Sequence, residues 1–251
     1  MNKLYTASVG KLSVLALALA LSACAQQPVK QAAAPAAAQS ASAPLIMTKE
    51  RQQKITADQA LQMLKEGNAR FVSDQTHDRD HPAHVKTTGK GGQYPLASIV
   101  NCIDSRTPPS LVFDKGIGDL FVASVAGNII NPDILGSLEY ASKVAGTKLI
   151  VVLGHTHCGA VKGACDNVAL GNLTQLLAKI RPAVDATPNT HGSDRSSKNH
   201  HFVDAVAHNN VHLTVKDIMD KSAVLREMAQ KGEIKIVGAM LDVETGKVHF
   251  E

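Results

Sequence analysis

Leu149-Ile150-Val151-Val152-Leu153-Gly154-His155-Thr156-His157-Cys158-Gly159-Ala160 is the stretch that decides how this chain folds. Its five leading apolar residues do not alternate with polar ones, so they read as a strand buried on both faces. Gly154 closes the run, the polar residues after it form a turn, and a helix is expected to start near Cys158. A second segment has the same layout: Ser98-Ile99-Val100 runs through Asn101 into Cys102-Ile103-Asp104-Ser105-Arg106.

Further apolar runs at 96–100, 120–123 and 234–240 predict additional strands. Helical patterns lie between them. Asn131-Pro132 pairs an N-cap with proline at the first helical position and predicts a helix toward Lys143. Residues 202–230 predict a long helix with breaks. Upstream, Thr56 and Gln59 make a capping-box pattern, followed by Leu61, Leu64, Asn68 and Phe71 at helical spacing. Residues 73–95, rich in His, Asp, Gly and Lys, read as loop. Strands alternating with helices predict an α/β fold, a mainly parallel sheet covered by helices.

In such a sheet, ligands bind outside the carboxyl ends of the strands. Cys102 arrives there from one strand, His155 and Cys158 from another. Thiolate sulfur and imidazole nitrogen suit a tetrahedral zinc ion, and three such ligands leave one position open for chemistry. A cysteine near a helix start is also favoured as a thiolate. The same two cysteines also allow a disulfide in an exported protein, so spacing alone leaves both readings standing, with zinc the favoured one. Cys165 reads as a small buried apolar residue. His157 reads as a partly exposed turn residue. His77, His81, His84, His200, His201 and the remaining histidines read as solvated.

Outside this region the chain changes character. Lys3 and Lys11 precede an apolar run at 12–21, which has the length of a signal-peptide core and is too short to span a bilayer. It ends in Leu21-Ser22-Ala23-Cys24, which resembles a lipoprotein cleavage box. That resemblance predicts a signal peptide over 1–23 and a lipid anchor on Cys24. An Ala/Pro/Gln-rich tether follows over 24–48, with too few apolar residues to fold, and the folded domain over 49–251. The localisation expected is the cell envelope, facing the periplasm, with the outer membrane favoured over the inner. Loss of the two leader lysines lowers the formal net charge from +4 to +2. A near-neutral chain without basic clusters gives no electrostatic case for nucleic acid.

Cys102-x-Asp104-Ser105-Arg106 followed by Gly154-His155-x-x-Cys158-Gly159-Ala160 resembles the signature of the β-class carbonic anhydrases. Further resemblance lies in Asn68-Ala69-Arg70-Phe71, Phe113-Asp114-Lys115-Gly116, Val125-Ala126-Gly127-Asn128 and Gly238-Ala239-Met240. It covers roughly residues 50–251. It implies one zinc ion per subunit on Cys102, His155 and Cys158, and reversible hydration of carbon dioxide to bicarbonate by a zinc-bound hydroxide. In the family, Arg106 orients Asp104 toward that hydroxide. It also implies a homodimer or dimer of dimers, with the helix over 56–72 packing on the partner subunit. Two departures stand out. The chain has no tryptophan, so the bicarbonate pocket of the family's switching members is absent in its usual form and the permanently open type is expected. Ser124 stands where the family usually has a basic residue. Hydrolysis of carbon disulfide or carbonyl sulfide, zinc binding without catalysis, and a cysteine-nucleophile hydrolase are the rival readings.

Overall fold

A computed structural model describes residues 46–188 and 192–251; the expected signal peptide, Cys24 and most of the tether lie outside them. The chain enters through α1 (Lys49–Lys54), α2 (Ala57–Val72) and α3 (His81–Gly91), then β1 (Ala97–Asn101), α4 (Pro109–Val112) and β2 (Leu120–Ser124). It continues through α5 (Pro132–Glu139), β3 (Leu149–His155), α6 (Gly159–Cys165), α7 (Gly171–Ala178) and α8 (Arg181–Ala186). The long α9 (His200–Lys221), α10 (Ala223–Gln230), β4 (Lys235–Leu241) and β5 (Val248–Phe250) complete it.

The strands form one sheet in the order β2-β1-β3-β4-β5. All pairs are parallel except β4 with β5. From β1 the chain moves to β2 on one side and then returns past β1 to β3 on the other. The crevice beyond the carboxyl ends of β1 and β3 is therefore the switch point at which such sheets place their sites.

Every residue of β3 is buried. Its side chains alternate between two cores, one on each face of the sheet. Ile150 and Val152 pack with Phe202, Val206 and Val211 of α9. Leu149, Val151 and Leu153 pack with Ala60 and Leu64 of α2. Leu64 is wholly buried, which contributes about 1.5–3 kcal/mol. The strand does not stop at Gly154 as the sequence suggested. A Cβ there would lie 2.5 Å from Val211 and 2.7 Å from Met240. The glycine lets α9 approach the sheet, and His155 pairs with Leu241 as the last strand residue.

Helix starts follow the predicted chemistry. Thr56 accepts from the Gln59 N–H at 3.1 Å while Gln59 accepts from the Thr56 N–H at 2.8 Å. Asn131 accepts from Ile134 N–H at 2.9 Å, and α5 runs on as a π turn through Val144. The break in the 202–230 pattern falls at Ser222, which caps α10. One expectation fails: residues 73–95 are not all loop, because α3 occupies 81–91. Asp80 caps it and Pro82 sits in its first turn, but only His84 on it is buried, so no apolar periodicity announces the helix. The short β5 was likewise not foreseen.

Candidate metal centre

The carboxyl ends of β1 and β3 are brought level by their register, Asn101 opposite Leu153. Cys102 follows the first and His155 ends the second. Cys158 occupies the N-cap of α6. The Cys102 and Cys158 sulfurs and a His155 ring nitrogen all lie within 4.8 Å of one another, and all three residues are buried. Cys102, Cys158 and Cys165 are free thiols, so the disulfide alternative is not realised.

Hydrogen bonding sets the donor atoms. His155 Nδ1 faces the Thr156 carbonyl oxygen at 2.8 Å. A carbonyl can only accept, so Nδ1 carries the proton and Nε2 presents its lone pair. That Nε2 is buried and has no hydrogen-bond partner among the described residues. Cys102 Sγ accepts the Gly127 N–H at 3.3 Å. Gly127 has φ 74° inside a tight 3₁₀ turn, a conformation a side chain strains, and a Cβ there would meet Ile180 at 2.5 Å.

The neighbouring Cys158 thiol, with help from His155 and the Gly127 N–H, pulls the Cys102 thiol well below its ordinary value. Cys158 is pushed up by the same contact and by burial, while the Ala160 and Val161 amides at the start of α6 pull the other way. Burial opposes charge on His155, yet the Cys102 thiolate and the Thr156 carbonyl outweigh it and raise its pKa. A thiolate, a second sulfur and an unpartnered buried imidazole nitrogen converge on one point, and a thiophilic dication satisfies all three.

Asp104 and Arg106 meet in the turn after β1 as their spacing predicted. Arg106 Nε donates to Asp104 Oδ1 at 2.9 Å and Nη2 to Oδ2 at 2.7 Å, and the Arg106 N–H also reaches Oδ1 at 3.0 Å. The Arg106 guanidinium holds the Asp104 carboxyl down at about 2. Asp104 Oδ2 stands 3.8 Å from His155 Nε2, beside the same point. Behind the turn, Asn101 Nδ2 donates to the Cys102 carbonyl at 2.7 Å, and Asn101 Oδ1 accepts from Ser124 Oγ at 2.9 Å.

Cys165 is buried as expected, and burial pushes its thiol up to about 11. His157 is a partly exposed turn residue with φ 57°. Its N–H donates to Asp204 at 2.8 Å, and its ring meets that of His200.

The plain-solvation reading of the 77–84 histidines needs correction. His84 is buried against Gly116, and His77 Nδ1 lies 2.7 Å from Asp114. Asp114 is fully enclosed and also takes Arg70 Nε at 2.5 Å and the Arg79 guanidinium. Burial alone would raise the Asp114 carboxyl; Arg79, His77 and Arg70 overcome it and hold the group far below the usual carboxylate range. Asn68 completes this scaffold by donating to the Val112 and Gly246 carbonyls and accepting the Val248 N–H at 2.8 Å. Alternating charges in 77–84 gave no sign that they converge on Asp114.

Residues 97–248 match the family model described as carbonic anhydrase. The chain is 35% identical over 193 residues to carbonic anhydrase 2 of Mycobacterium tuberculosis, covering 75% of this chain and 89% of that one. It is 32% identical to a carbonic anhydrase of Mycolicibacterium smegmatis, with 76% and 91% covered. Among solved structures, the β-carbonic anhydrase CafA of Aspergillus fumigatus superimposes with a TM-score of 0.60 at 29% identity, over 77% of this chain and 89% of that one.

Proposed function

Since the chain belongs to the carbonic anhydrase family, in its β class, we propose that it hydrates carbon dioxide reversibly through a zinc ion held by Cys102, His155 and Cys158. The observation that carries this reading is the buried, unpartnered His155 Nε2 facing two sulfurs. Zinc held there would supply Lewis acidity, making hydroxide available near neutral pH for attack on the carbon of carbon dioxide. The chain's own residues do the rest. The Thr156 carbonyl fixes the imidazole tautomer, and the Gly127 N–H steadies the Cys102 thiolate. Asp104, anchored by Arg106, offers a fixed carboxylate acceptor that orients the attacking oxygen and stays ionised throughout the working pH range. One water and one carbon dioxide give bicarbonate and a proton, which leaves to buffer.

Two thiolates donate more charge than neutral imidazoles and acidify water less, so activity should climb toward alkaline pH. Stopped-flow hydration with a pH indicator, on the full chain and on Cys158→Ser, tests the reading. Rapid proton release that needs zinc and vanishes in the variant supports it; zinc-loaded protein no faster than buffer alone overturns it.

We further propose that the enzyme is a lipoprotein of the cell envelope anchored through Cys24, on the strength of the leader and Leu21-Ser22-Ala23-Cys24. Among the described residues no helix is long and apolar enough to cross a membrane. Cys24→Ala should move the protein from the membrane fraction to the soluble one. A homodimer or dimer of dimers is the assembly proposed. Among the described residues strand β2 is a sheet edge with no further strand beside it, and Val122, Tyr140 and Val144 stand exposed on and near it. Helix α2 packs Ala60 and Leu64 into its own core, leaving its outer face for the neighbouring subunit.

A further inference from the structure

His208 and His212 stand one turn apart on α9, and between them Asn210 and Val211 are buried. The two imidazoles therefore share the outward face of the helix, with their Cβ atoms about 5–6 Å apart. A side chain from far along the chain meets them there. The Glu251 N–H donates to the Gly238 carbonyl at 3.0 Å, holding residue 251 beside β4, and α9 packs on the same strand. The Glu251 carboxylate lies against both histidines: Oε1 is 2.7 Å from His208 Nδ1 and Oε2 is 3.2 Å from His212 Nε2. Lys216, the next residue along the stripe, is engaged by Asp220 and does not compete for Glu251.

We propose that His208, His212 and Glu251 form a second metal site, for a divalent first-row transition ion such as Zn2+, Ni2+ or Cu2+. Two histidines four residues apart on a helix present imidazole nitrogens to one ion, and the carboxylate adds a charged third ligand. Each nitrogen now contacts a different carboxylate oxygen, so capture requires the imidazoles to swing inward. Both are about half exposed, at 49% and 61%, and have the freedom to do so. The site is separate from Cys102, His155 and Cys158, and does not depend on the function proposed for them. Its composition also differs: it has no sulfur donor, and its imidazole and carboxylate ligands suit Ni2+ and Cu2+, with Cu2+ above Zn2+ in the ordinary stability order. A bound ion would clasp the β4–β5 edge to α9.

Calorimetric titration of Ni2+ into the untagged full chain, first loaded with one equivalent of Zn2+ per chain and desalted, tests this. His208→Ala, His212→Ala and Glu251→Gln serve as variants, with unchanged circular dichroism showing that they fold. The parent is expected to take up one Ni2+ per chain, and either histidine variant none up to roughly 1 mM. Glu251→Gln should bind at least about tenfold more weakly. Parental affinity in both histidine variants overturns the proposal, as does a parent that binds no Ni2+ in this range. Thiolate-to-metal charge-transfer absorption accounting for all the Ni2+ taken up also overturns it, since the ion would then have exchanged into the cysteine site. Parental affinity in Glu251→Gln removes the carboxylate from the ligand set.

Discussion

Arg106→Ala separates two ways in which the Arg106–Asp104 fork could serve catalysis. With the guanidinium present, the Asp104 carboxyl is held at about 2. Without it the group returns toward its ordinary value of about 3.9, and so remains ionised from about pH 6 to 9. A change of charge state therefore cannot reduce activity. What disappears is orientation: two of three hydrogen bonds go, and only the residue-106 N–H on Oδ1 remains. The carboxylate can then turn Oδ2 away from its place 3.8 Å from His155 Nε2. Misplacing a group by about an ångström costs on the order of 100-fold, and kcat/KM should fall by that factor, equally across the pH range. Stability should hardly move, because Arg106 is 49% exposed and such pairs contribute at most about 1 kcal/mol. Arg106→Lys should recover only part of the rate, since an ammonium cannot fork onto both oxygens. Stopped-flow hydration over this pH range decides the matter. Activity within about threefold of the parent would refute the positioning role. A loss confined to one end of the profile would show that ionisation was the cause after all.

Asp114→Asn leaves the enclosed Arg79 guanidinium without its counter-ion and should cost about 3 kcal/mol, a fall of roughly 6–12 °C in melting temperature. Because the folded-state carboxyl is depressed, its stabilisation is complete above its unfolded value of about 3.9 and is lost as pH falls through the lower folded value. Urea titrations at stepped acid pH should thus show the parent and variant converging; a constant gap would mean that the carboxylate charge is not what stabilises. Gly127→Ala introduces a Cβ 2.5 Å from Ile180 at φ 74°, where the left-handed conformation alone costs about 1–2 kcal/mol. Displacing the turn also moves the N–H off Cys102, so zinc loss to a competing chelator should quicken along with the drop in melting temperature; unchanged zinc release would show that this N–H does not steady the thiolate.

How much of this was legible in the chain depended on distance along it. His155 and Cys158 are delivered by one strand-turn-helix unit, and Asp104 and Arg106 by one turn, so composition and spacing were enough to group them. The caps at Thr56 and Asn131 were readable for the same reason, each being settled within three residues. Helix α3 was not, because a helix with one buried residue carries no apolar stripe. The Asp114 cluster draws Arg70, His77 and Arg79 from 35 to 44 residues away, and each alone looks like any solvated charge. His208 and His212 read as solvated with the other histidines, because their partner lies 43 residues from the first of them and the β4–β5 hairpin brings it there.

The metal centre spans two strands, and its geometry is only as fixed as their register. A slip of one residue between β1 and β3 would displace Cys102 by about 3.3 Å and turn its side chain to the opposite face. Burial of β3 on both faces opposes such a slip, but apolar packing is non-directional and does not by itself choose one register over the next. On the β1 side, Asn101 ties the ligand turn to the neighbouring strand β2. Its amide donates to the Cys102 carbonyl and, at 3.4 Å, to that of Thr107, while its Oδ1 accepts from Ser124 at the end of β2. The Thr107 hydroxyl in turn donates to the Asp104 carbonyl at 3.0 Å. One buried side chain thus links the first thiolate, the Asp104 turn and the neighbouring strand. Ser124 belongs to that clamp: its short hydroxyl reaches back to Asn101. The hydroxyl lies behind the turn and touches none of Cys102, His155 and Cys158.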